Sequence, residues 1–524
     1  MASQFSELSV LIVEKNLEDL DLLRQMLNAL GFTSIQVASS VNMAVSLLQE
    51  ISVDLCFLVY DLGPQDKNGL QVMQELRAAG RRLYSTSFLL VVDPERSRLL
   101  LGSPEHAPDA YISKPYDQAR LRTQLEKLQR LKQVLSPVER LIDERRWQEA
   151  LDQCQRIQQQ FPALNVMLMR LRGLILLELE SFAEARDLFE QIARVQDKPW
   201  VRVAIGIASY HLADYPRARR EFTQVIDEQQ VCTEAFTWLA RLHWILGERN
   251  QAITLLRKAV MLQPTVPLLH AELANRAAMS NELRLAMEGF RQAVNYARYS
   301  AFQHPDYYFG WVRVLQQQMV QNSGQQPALV EEAVRALESA VHDFLDDPQI
   351  RFRSRLMASE IYRAHAEEKK ADFAARDAID QFSRLNLDAQ LTLLDLLVDG
   401  LDASVMADQA LNWRESVSKQ MSSVEWGREN LKGMLSFRKK DVDEAFRQFE
   451  LAWLAEPGNP GVGLNLLQAG VELLRREPDN SVLLRRCAEV ITSTQYGVMS
   501  RRQQQRYQVL YQRFNELVSP AEIA

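Results

Sequence analysis

The stretch SVLIVEKNLEDLDLLRQMLNALG, residues 9–31, decides the fold of the N-terminal part of the chain. Its first five residues are an apolar run with the length of a strand. Apolar residues then recur at helical spacing from Leu17 to Leu30, before Gly31 ends the run. Further strands are predicted at 35–38, 55–59, 88–92 and 110–113, with one helix ending near Glu50 and another at 70–79. This alternation predicts a doubly wound α/β domain with a parallel sheet.

The composition of the chain limits its class. With 524 residues, the chain is too long for one core, so several domains or a repeat array are expected. A formal net charge of −7 disfavours binding to nucleic acid. The four cysteines lack CxxC spacing, which is typical of reduced, buried thiols in a cytoplasmic protein. Without a basic leader or a long apolar stretch, we expect no membrane insertion.

In a parallel α/β sheet, the functional crevice lies at the carboxyl ends of the strands. The residues at those ends belong to three stretches, LIVEKN (11–16), VDLCFLVYDLGPQDKNG (53–69) and PDAYISKPYD (108–117). These stretches resemble the receiver domain of two-component response regulators, over residues 1–120. The resemblance implies a flavodoxin-like fold. It also implies a crevice in which an acidic pair holds Mg²⁺, an aspartate accepts phosphoryl, a Ser/Thr senses the product and a lysine neutralises charge.

The chain departs from that receiver pattern at several positions. Glu14 fits the first acidic position, but Lys15 stands where the direct metal ligand is expected, and a cation there opposes metal binding. Val92 stands at the Ser/Thr position, where it cannot hydrogen-bond a phosphoryl oxygen. Lys114 fits the lysine position. The pattern therefore predicts a degenerate receiver pocket.

The acceptor position has two interpretations. Counting forward from Asp54 along the apolar strand places Val59 there, whereas counting back from Gly69 places Asp61 there. Asp61 is thus a possible phosphoacceptor under the alternative in which the receiver still works.

Beyond the receiver, an alanine recurs with a period near 34 residues. The anchors are Ala150, Ala185, Ala218, Ala252 and Ala286, spaced by 35, 33, 34 and 34 residues. The stretch 427–457, GRENLKGMLSFRKKDVDEAFRQFELAWLAEP, has the same arrangement around Ala445. This pattern resembles the tetratricopeptide repeat (TPR), a pair of antiparallel helices that stacks into an all-α superhelical solenoid.

We predict four segments: a receiver-like domain at 1–120, a helical linker at 121–136, a TPR array with an irregular middle at 137–460, and capping helices at 461–524. The pattern does not assign residues 316–422 to particular repeats, and the polar composition of 316–327 predicts an extended loop. Leucines along 121–135 form one helical stripe. Such a stripe packs on the sheet or the first repeat, or it supports a homodimer.

First-helix side chains not used in packing are candidates for a partner-binding groove, because first helices line the inner surface of a TPR solenoid. Aromatic and arginine side chains are favoured anchors of protein interfaces. The alternative is that the tryptophans pack only between neighbouring repeats. The candidates are Arg170, Trp200, Tyr210, Arg241, Trp244 and Asn275.

The main hypothesis is a non-enzymatic, two-component-type adaptor that docks proteins through a degenerate receiver and a TPR groove, without phosphorylation. Expected partners are a sensor histidine kinase or another regulator, and no cofactor is expected. Two alternatives remain open. One is a genuine phospho-accepting regulator that uses Asp61 and Mg²⁺, and the other is an assembly scaffold for a secretion, pilus or motility machine.

Overall fold

In the computed structural model, the described residues are 5–63, 67–78, 84–92, 108–228, 231–298, 300–321 and 326–518. The chain divides into two compact units. The first comprises residues 1–239, 258–267 and 296–303, and the second comprises 240–257, 268–295 and 304–524.

The first unit begins with a five-stranded parallel sheet. The strands are β1 (Ser9–Val13), β2 (Ser34–Ala38), β3 (Leu55–Val59), β4 (Ser87–Val92) and β5 (Ala110–Ser113). Their order is β2-β1-β3-β4-β5, which is the doubly wound order predicted from the sequence. Every residue of β3 and β4 is buried, as expected for central strands of a parallel sheet.

The helices of the sheet domain are α1 (Leu17–Leu30), α2 (Val41–Glu50) and α3 (Gly69–Ala78). Local chemistry sets the limits of α1. The side chain of Asn16 accepts hydrogen bonds from the first-turn amides of Glu18 and Asp19, and Gly31 ends the helix in the left-handed conformation at φ 100°.

A long helix, α4 (Gln118–Asp143), contains the whole predicted linker. Its first half buries Leu121, Leu125 and Leu128 in the core of the sheet domain. Its second half buries Leu135 and Val138 in a different core, together with the next helices. The leucine stripe is therefore buried within its own chain. Of the two alternatives for the stripe, packing on the sheet and the first repeat is the one that the structure contains.

After α4 the chain is helical. The helices are α5 (Trp147–Gln160), α6 (Asn165–Glu178), α7 (Phe182–Val195), α8 (Pro199–His211), α9 (Tyr215–Glu228), α10 (Thr233–Ile245), α11 (Arg249–Leu262), α12 (Pro267–Met279), α13 (Leu283–Ala297), α14 (Pro305–Gln321), α15 (Pro327–Asp343), α16 (Pro348–Ala364), α17 (Glu368–Ser383), α18 (Leu387–Gly400), α19 (Ala407–Ser418), α20 (Glu425–Arg438), α21 (Val442–Ala455), α22 (Pro460–Leu474), α23 (Ser481–Ser493) and α24 (Arg501–Val518).

The alanine anchors lie in the second helix of each pair and are fully buried, which permits close approach of the helices. A second periodic feature accompanies them. Five positions before the anchor, in the turn between paired helices, a residue adopts positive φ. These turn residues are Arg145, Glu180, Ala213, Gly247, Asn281, Ala366 and Lys440. The last two precede Ala371 and Ala445, so the TPR geometry continues in the second unit beyond the regular anchors.

Glycine and phenylalanine pack against each other within several pairs. An ideal Cβ on Gly173, Gly206 or Gly433 would lie 2.5–2.6 Å from the ring of a phenylalanine on the following helix. The phenylalanines concerned are Phe189, Phe222 and Phe449, all buried. At these positions the ring fills the space that a side chain on the first helix would need.

The irregular middle is more helical than predicted. The expected extended loop at 316–327 is wrong for its first part, since α14 continues to Gln321, and α15 begins at Pro327. Residues 322–325 lie outside the described part of the chain. Residues 386–422, which resisted assignment, hold α18 and α19. The glutamines in this stretch gave it the composition of a loop. They nevertheless extend α14, because buried apolar residues such as Leu315 and Met319 pack that helix against its neighbours.

Among the described residues, no helix is long and apolar enough to cross a membrane.

Candidate functional site

The parallel register brings the carboxyl ends of the strands to one edge of the sheet. Val13 pairs with Leu58, Val59 pairs with Val91, and Val92 pairs with Ser113. The residues that end or follow these strands therefore meet at this edge. They include Glu14, Val59, Val92 and Lys114 of the predicted pocket, and we call this region the receiver crevice.

Lys114 forms the polar centre of the receiver crevice. Its Nζ lies 2.8 Å from Glu14 Oε2 and 2.6 Å from Asp19 Oδ2. Burial alone would lower the pKa of Lys114, but hydrogen bonds and charge from Asp19 and Glu14 outweigh it and raise the pKa. The other oxygen of Glu14, Oε1, accepts the backbone N–H of Asn16 at 2.8 Å. Glu14 is buried, so both its oxygens are held by the protein.

Asp19 is a crevice residue that sequence reasoning missed. It lies in the first turn of α1, where the Asn16 side chain accepts its backbone N–H at 3.3 Å. This cap fixes the helix start so that Asp19 faces Lys114. The available signal was the Asn16 cap followed by two acidic residues in the first turn.

Val59 and Asp61, the two candidates for the acceptor position, occupy different environments. Val59 is the last residue of β3 and is buried. Asp61 lies two residues beyond the strand and is exposed, and its Oδ1 accepts the backbone N–H of Gly63 at 2.9 Å. Asp61 therefore stabilises the turn after β3 through a local side-chain bond.

Lys15 and Val92 complete the predicted pocket. Lys15 Nζ lies 3.4 Å from the carbonyl oxygen of Leu62, so this side chain reaches the turn after β3. Val92 ends β4 with only 2% of its surface exposed, and it presents no hydrogen-bonding group at that strand end.

The start of α3, next to the receiver crevice, is hydrogen-bonded to the repeats of the same unit. Asn68 and Gln71 cap each other's backbone N–H groups, at 2.8 and 3.0 Å. Gln71 Oε1 also accepts from Thr265 Oγ1 at 2.7 Å, in the segment that follows α11. Farther along α3, Glu75 Oε1 accepts the backbone N–H of Ala301 at 3.1 Å. The turn and helix after β3 thus share polar partners with two repeat segments.

The predicted groove residues of the first unit contact aromatic neighbours. The Arg170 guanidinium lies 4.9 Å from the centre of the Trp200 ring, a cation–π contact. Tyr210 is buried and packs edge-on against Trp238, with ring centroids 5.3 Å apart. Trp200 also packs edge-on against Phe189. Trp200 and Tyr210 therefore contribute to packing between helices.

The predicted groove residues of the second unit are covered by other parts of that unit. Arg241 forms a bidentate ion pair with Glu272, at 2.9 Å for both contacts. Trp244 is fully buried, and its ring stacks on Tyr511 of α24. Asn275 is also buried, and its Oδ1 accepts the backbone N–H of Tyr496 at 2.9 Å. The expectation that Trp244 and Asn275 line an open groove is thus corrected, because the C-terminal segment already contacts both.

Comparison with known proteins agrees with this architecture. The family model of the response regulator receiver domain matches residues 10–126. The tetratricopeptide repeat model matches residues 138–199 and 203–267. No curated protein sequence matches the chain.

Similar solved structures include other TPR proteins. The C-terminal part of a TPR protein from Cytophaga hutchinsonii is 16% identical, with 51% of this chain and 99% of that chain covered and a TM-score of 0.38. A tetratricopeptide repeat protein from Parabacteroides merdae is 15% identical, with 51% and 98% covered and a TM-score of 0.31. The MamA protein is 18% identical, with 35% and 91% covered and a TM-score of 0.30.

The chain therefore joins a signalling domain to a protein-interaction scaffold. It contains a response regulator receiver domain at residues 10–126 and tetratricopeptide repeats at 138–199 and 203–267. This combination supports a two-component-type protein that takes part in protein–protein interaction.

Proposed function

We propose that this protein is an adaptor of two-component signalling that docks proteins through its receiver and repeats, without accepting a phosphoryl group and without catalysis of its own. The observation that carries the proposal is the environment of Lys114. In a working receiver this lysine neutralises the phosphoryl group. Here the Lys114 ammonium group is paired with the carboxylates of Glu14 and Asp19, so its charge is already neutralised within the crevice.

The donor set of the receiver crevice does not fit the Mg²⁺ ion that receiver chemistry requires. Magnesium takes an octahedral set of oxygen ligands, with carboxylates as its usual protein donors. Glu14 accepts a hydrogen bond from Asn16 N–H with one oxygen and from Lys114 Nζ with the other, and Lys15 brings a second cation to this edge. The carboxylates of Glu14 and Asp19 are already paired with the Lys114 ammonium group, and the added positive charge at this edge opposes a divalent cation.

The acceptor position supports the same proposal. Val59, which ends β3, has no nucleophilic atom, and Val92 has no hydroxyl group. The nearby carboxylate of Asp61 is exposed and bonded to the turn. Phosphoryl transfer to Asp61 would have to proceed two residues away from the strand end, without the Mg²⁺ that offsets the charge of the transferring group.

Incubation of the full chain with radiolabelled acetyl phosphate and Mg²⁺ tests the proposal. We expect no stable label, with a working receiver domain as the positive control. Asp61→Asn is the matched variant, because it keeps the size of the side chain and removes the nucleophile. Label that depends on Mg²⁺, and that disappears in Asp61→Asn, would establish a phospho-accepting regulator instead.

A gain-of-function variant examines the same reasoning from the opposite side. The double substitution Lys15→Asp/Val59→Asp supplies a carboxylate at the metal-ligand position and another at the end of β3. We expect Mg²⁺-dependent labelling in this variant and none in Lys15→Asp/Val59→Asn. If the asparagine control is labelled equally, the acceptor lies elsewhere and the assignment of Val59 fails.

The proposed partners are a sensor histidine kinase or another response regulator, recognised by the receiver, and further proteins recognised by the repeats. Affinity capture with full-length protein distinguishes this role from a scaffold for a secretion, pilus or motility machine. A kinase or regulator whose capture is lost in a Lys114→Ala variant supports the adaptor role. Capture of envelope-machine components alone, unchanged by Lys114→Ala, contradicts it.

A further inference from the structure

We propose that a surface of the second unit, formed by Trp244, Arg249, Asn275 and Arg276, is a binding site for an amphipathic helix, and that residues 495–518 are its tethered occupant. We call this surface the Trp244 surface. A partner helix with the side-chain chemistry of α24 would compete with α24 for this surface. The inference does not depend on the state of the receiver crevice.

Aromatic and cation–π contacts form the centre of the interaction. The Trp244 and Tyr511 rings are stacked with centroids 5.4 Å apart, and the Tyr511 hydroxyl donates to the Trp244 carbonyl at 2.5 Å. The Arg249 guanidinium lies 4.7 Å from the Tyr511 ring centre, and that of Arg276 lies 4.8 Å from the Trp244 ring centre. Tryptophan, tyrosine and arginine are the residues that concentrate binding energy in protein interfaces.

Polar contacts surround this aromatic centre. Asn275 Oδ1 accepts the backbone N–H of Tyr496, and Arg276 donates to the carbonyl of Thr492 at 2.9 Å. Arg249 donates to Gln508 Oε1, also at 2.9 Å. The bond from Tyr496 reaches the backbone of the segment that leads into α24, whereas the bond from Arg276 reaches the last turn of α23, just before the occupant. The surface therefore contacts the occupant through the main chain of Tyr496 and the side chain of Gln508.

The occupant has the spacing of a helix that binds in a groove. Its buried residues are Tyr507, Leu510, Tyr511 and Phe514, at positions i, i+3, i+4 and i+7. The opposite face is polar or exposed, with Arg502 and Gln512 among its residues. A partner for the Trp244 surface should therefore present two aromatic residues four positions apart, a third apolar residue three positions later, and glutamine or arginine nearby.

One flank of α24 faces open space. A cavity of about 1030 Å³ is lined by Gln504 and Gln508 of α24 and, across from them, by Arg313 and Glu360 of α14 and α16. The helix is thus seated along the edge of a larger open region.

Tethering makes α24 a strong competitor. A segment joined to its site by a short linker acts at an effective concentration in the millimolar range. A free helix of equal affinity therefore binds poorly until the tethered helix is weakened. This expectation separates a tethered ligand from an ordinary core helix, for which no added peptide would bind.

The test uses a fluorescein-labelled synthetic peptide of residues 495–518, titrated into full-length protein and followed by anisotropy. We expect weak binding to the wild-type chain and binding at least tenfold tighter to Tyr511→Ala, whose own helix is weakened. Val509→Ala, at a half-exposed position of α24, is the matched control and should behave as the wild type. The same peptide carrying Tyr511→Ala should lose the gain.

Circular dichroism establishes whether Tyr511→Ala keeps the helical content of the wild type. If it does not, Gln508→Ala is the milder variant, because it removes only the polar contacts with Arg249 and the Met279 carbonyl and leaves the aromatic stack. Equal peptide binding by the wild type and a folded weakened variant would overturn the proposal, as would no binding to either. Tighter binding that persists when Arg276→Ala is added would place the peptide elsewhere and also overturn it.

Discussion

Gly206→Ala is expected to destabilise its repeat, although alanine is the better helix former. A Cβ at position 206 would lie 2.5 Å from Phe222 Cε1 and 2.8 Å from two other ring atoms. Carbon atoms pack at about 3.5–4 Å, so the ring must move by roughly 1 Å. Phe222 is fully buried, and overpacking of a core costs about 1–3 kcal/mol. Alanine recovers about 1 kcal/mol of helix propensity. Because the ring must move so far, we take a packing cost of about 2–3 kcal/mol. Subtracting the recovered helix propensity leaves a net destabilisation of about 1–2 kcal/mol.

Hydrogen exchange of the α8 and α9 amides is the suitable assay, because a chain with two compact units does not unfold in one two-state step. We expect exchange in these helices to accelerate about 5- to 30-fold if it is governed by the opening equilibrium. Gly458→Ala is the matched control, since no atom lies within 4 Å of its Cβ position. Adding Phe222→Leu should recover part of the loss. Unchanged or slower exchange in Gly206→Ala would refute the steric argument.

Three further predictions follow from buried or strained groups. Burial raises the pKa of Glu139 to about 7, although the charge of Lys132 opposes this shift. Between pH 4.5 and pH 7, Glu139 is therefore protonated in the native protein and ionised in the unfolded chain. Stability should therefore fall by up to about 3 kcal/mol as pH rises from 4.5 to above 7, and Glu139→Gln should flatten this slope in pH-dependent exchange of α4. Ala213→Gly should stabilise its turn by about 1 kcal/mol, measured by exchange of the neighbouring amides, because position 213 has φ 59°. Burial raises the pKa of all four cysteine thiols, so a thiol reagent should leave the native protein unmodified and modify it once it is denatured. The thiols are Cys56, Cys154, Cys232 and Cys487.

Elements with a strong local period could be predicted from the sequence. Strand β3 is an uninterrupted apolar run, and α1 has both an Asn16 cap and a Gly31 stop, so neighbouring residues determine each. The same holds for the alanine anchors, because a small residue is required wherever paired helices approach closely. These signals involve residues that are near each other in sequence, which is why pattern analysis detects them.

Contacts between distant parts of the chain could not be predicted. Tyr511 bonds to Trp244 across 267 positions, and no local pattern links the two residues. For this reason, Trp244 looked like an available interface residue although it is buried. Asp19 was missed for a related reason, since its role depends on Lys114, which follows the last strand of the sheet. The α14 extension was missed because the polar composition of residues 316–321 was given more weight than the good helix propensity of glutamine.

The receiver domain also has a structural role that does not depend on its chemistry. Its core includes Leu121, Leu125 and Leu128, which lie on the same helix, α4, whose other half supports the first repeat. Lys132 of α4 joins the two halves, because its Nζ contacts both Asp109, next to β5, and Glu139. Removing the sheet would expose three leucines and leave this lysine with half of its ionic partners. Loss of phosphoryl chemistry would leave these contacts intact, so the sheet would still support α4 and the first repeat.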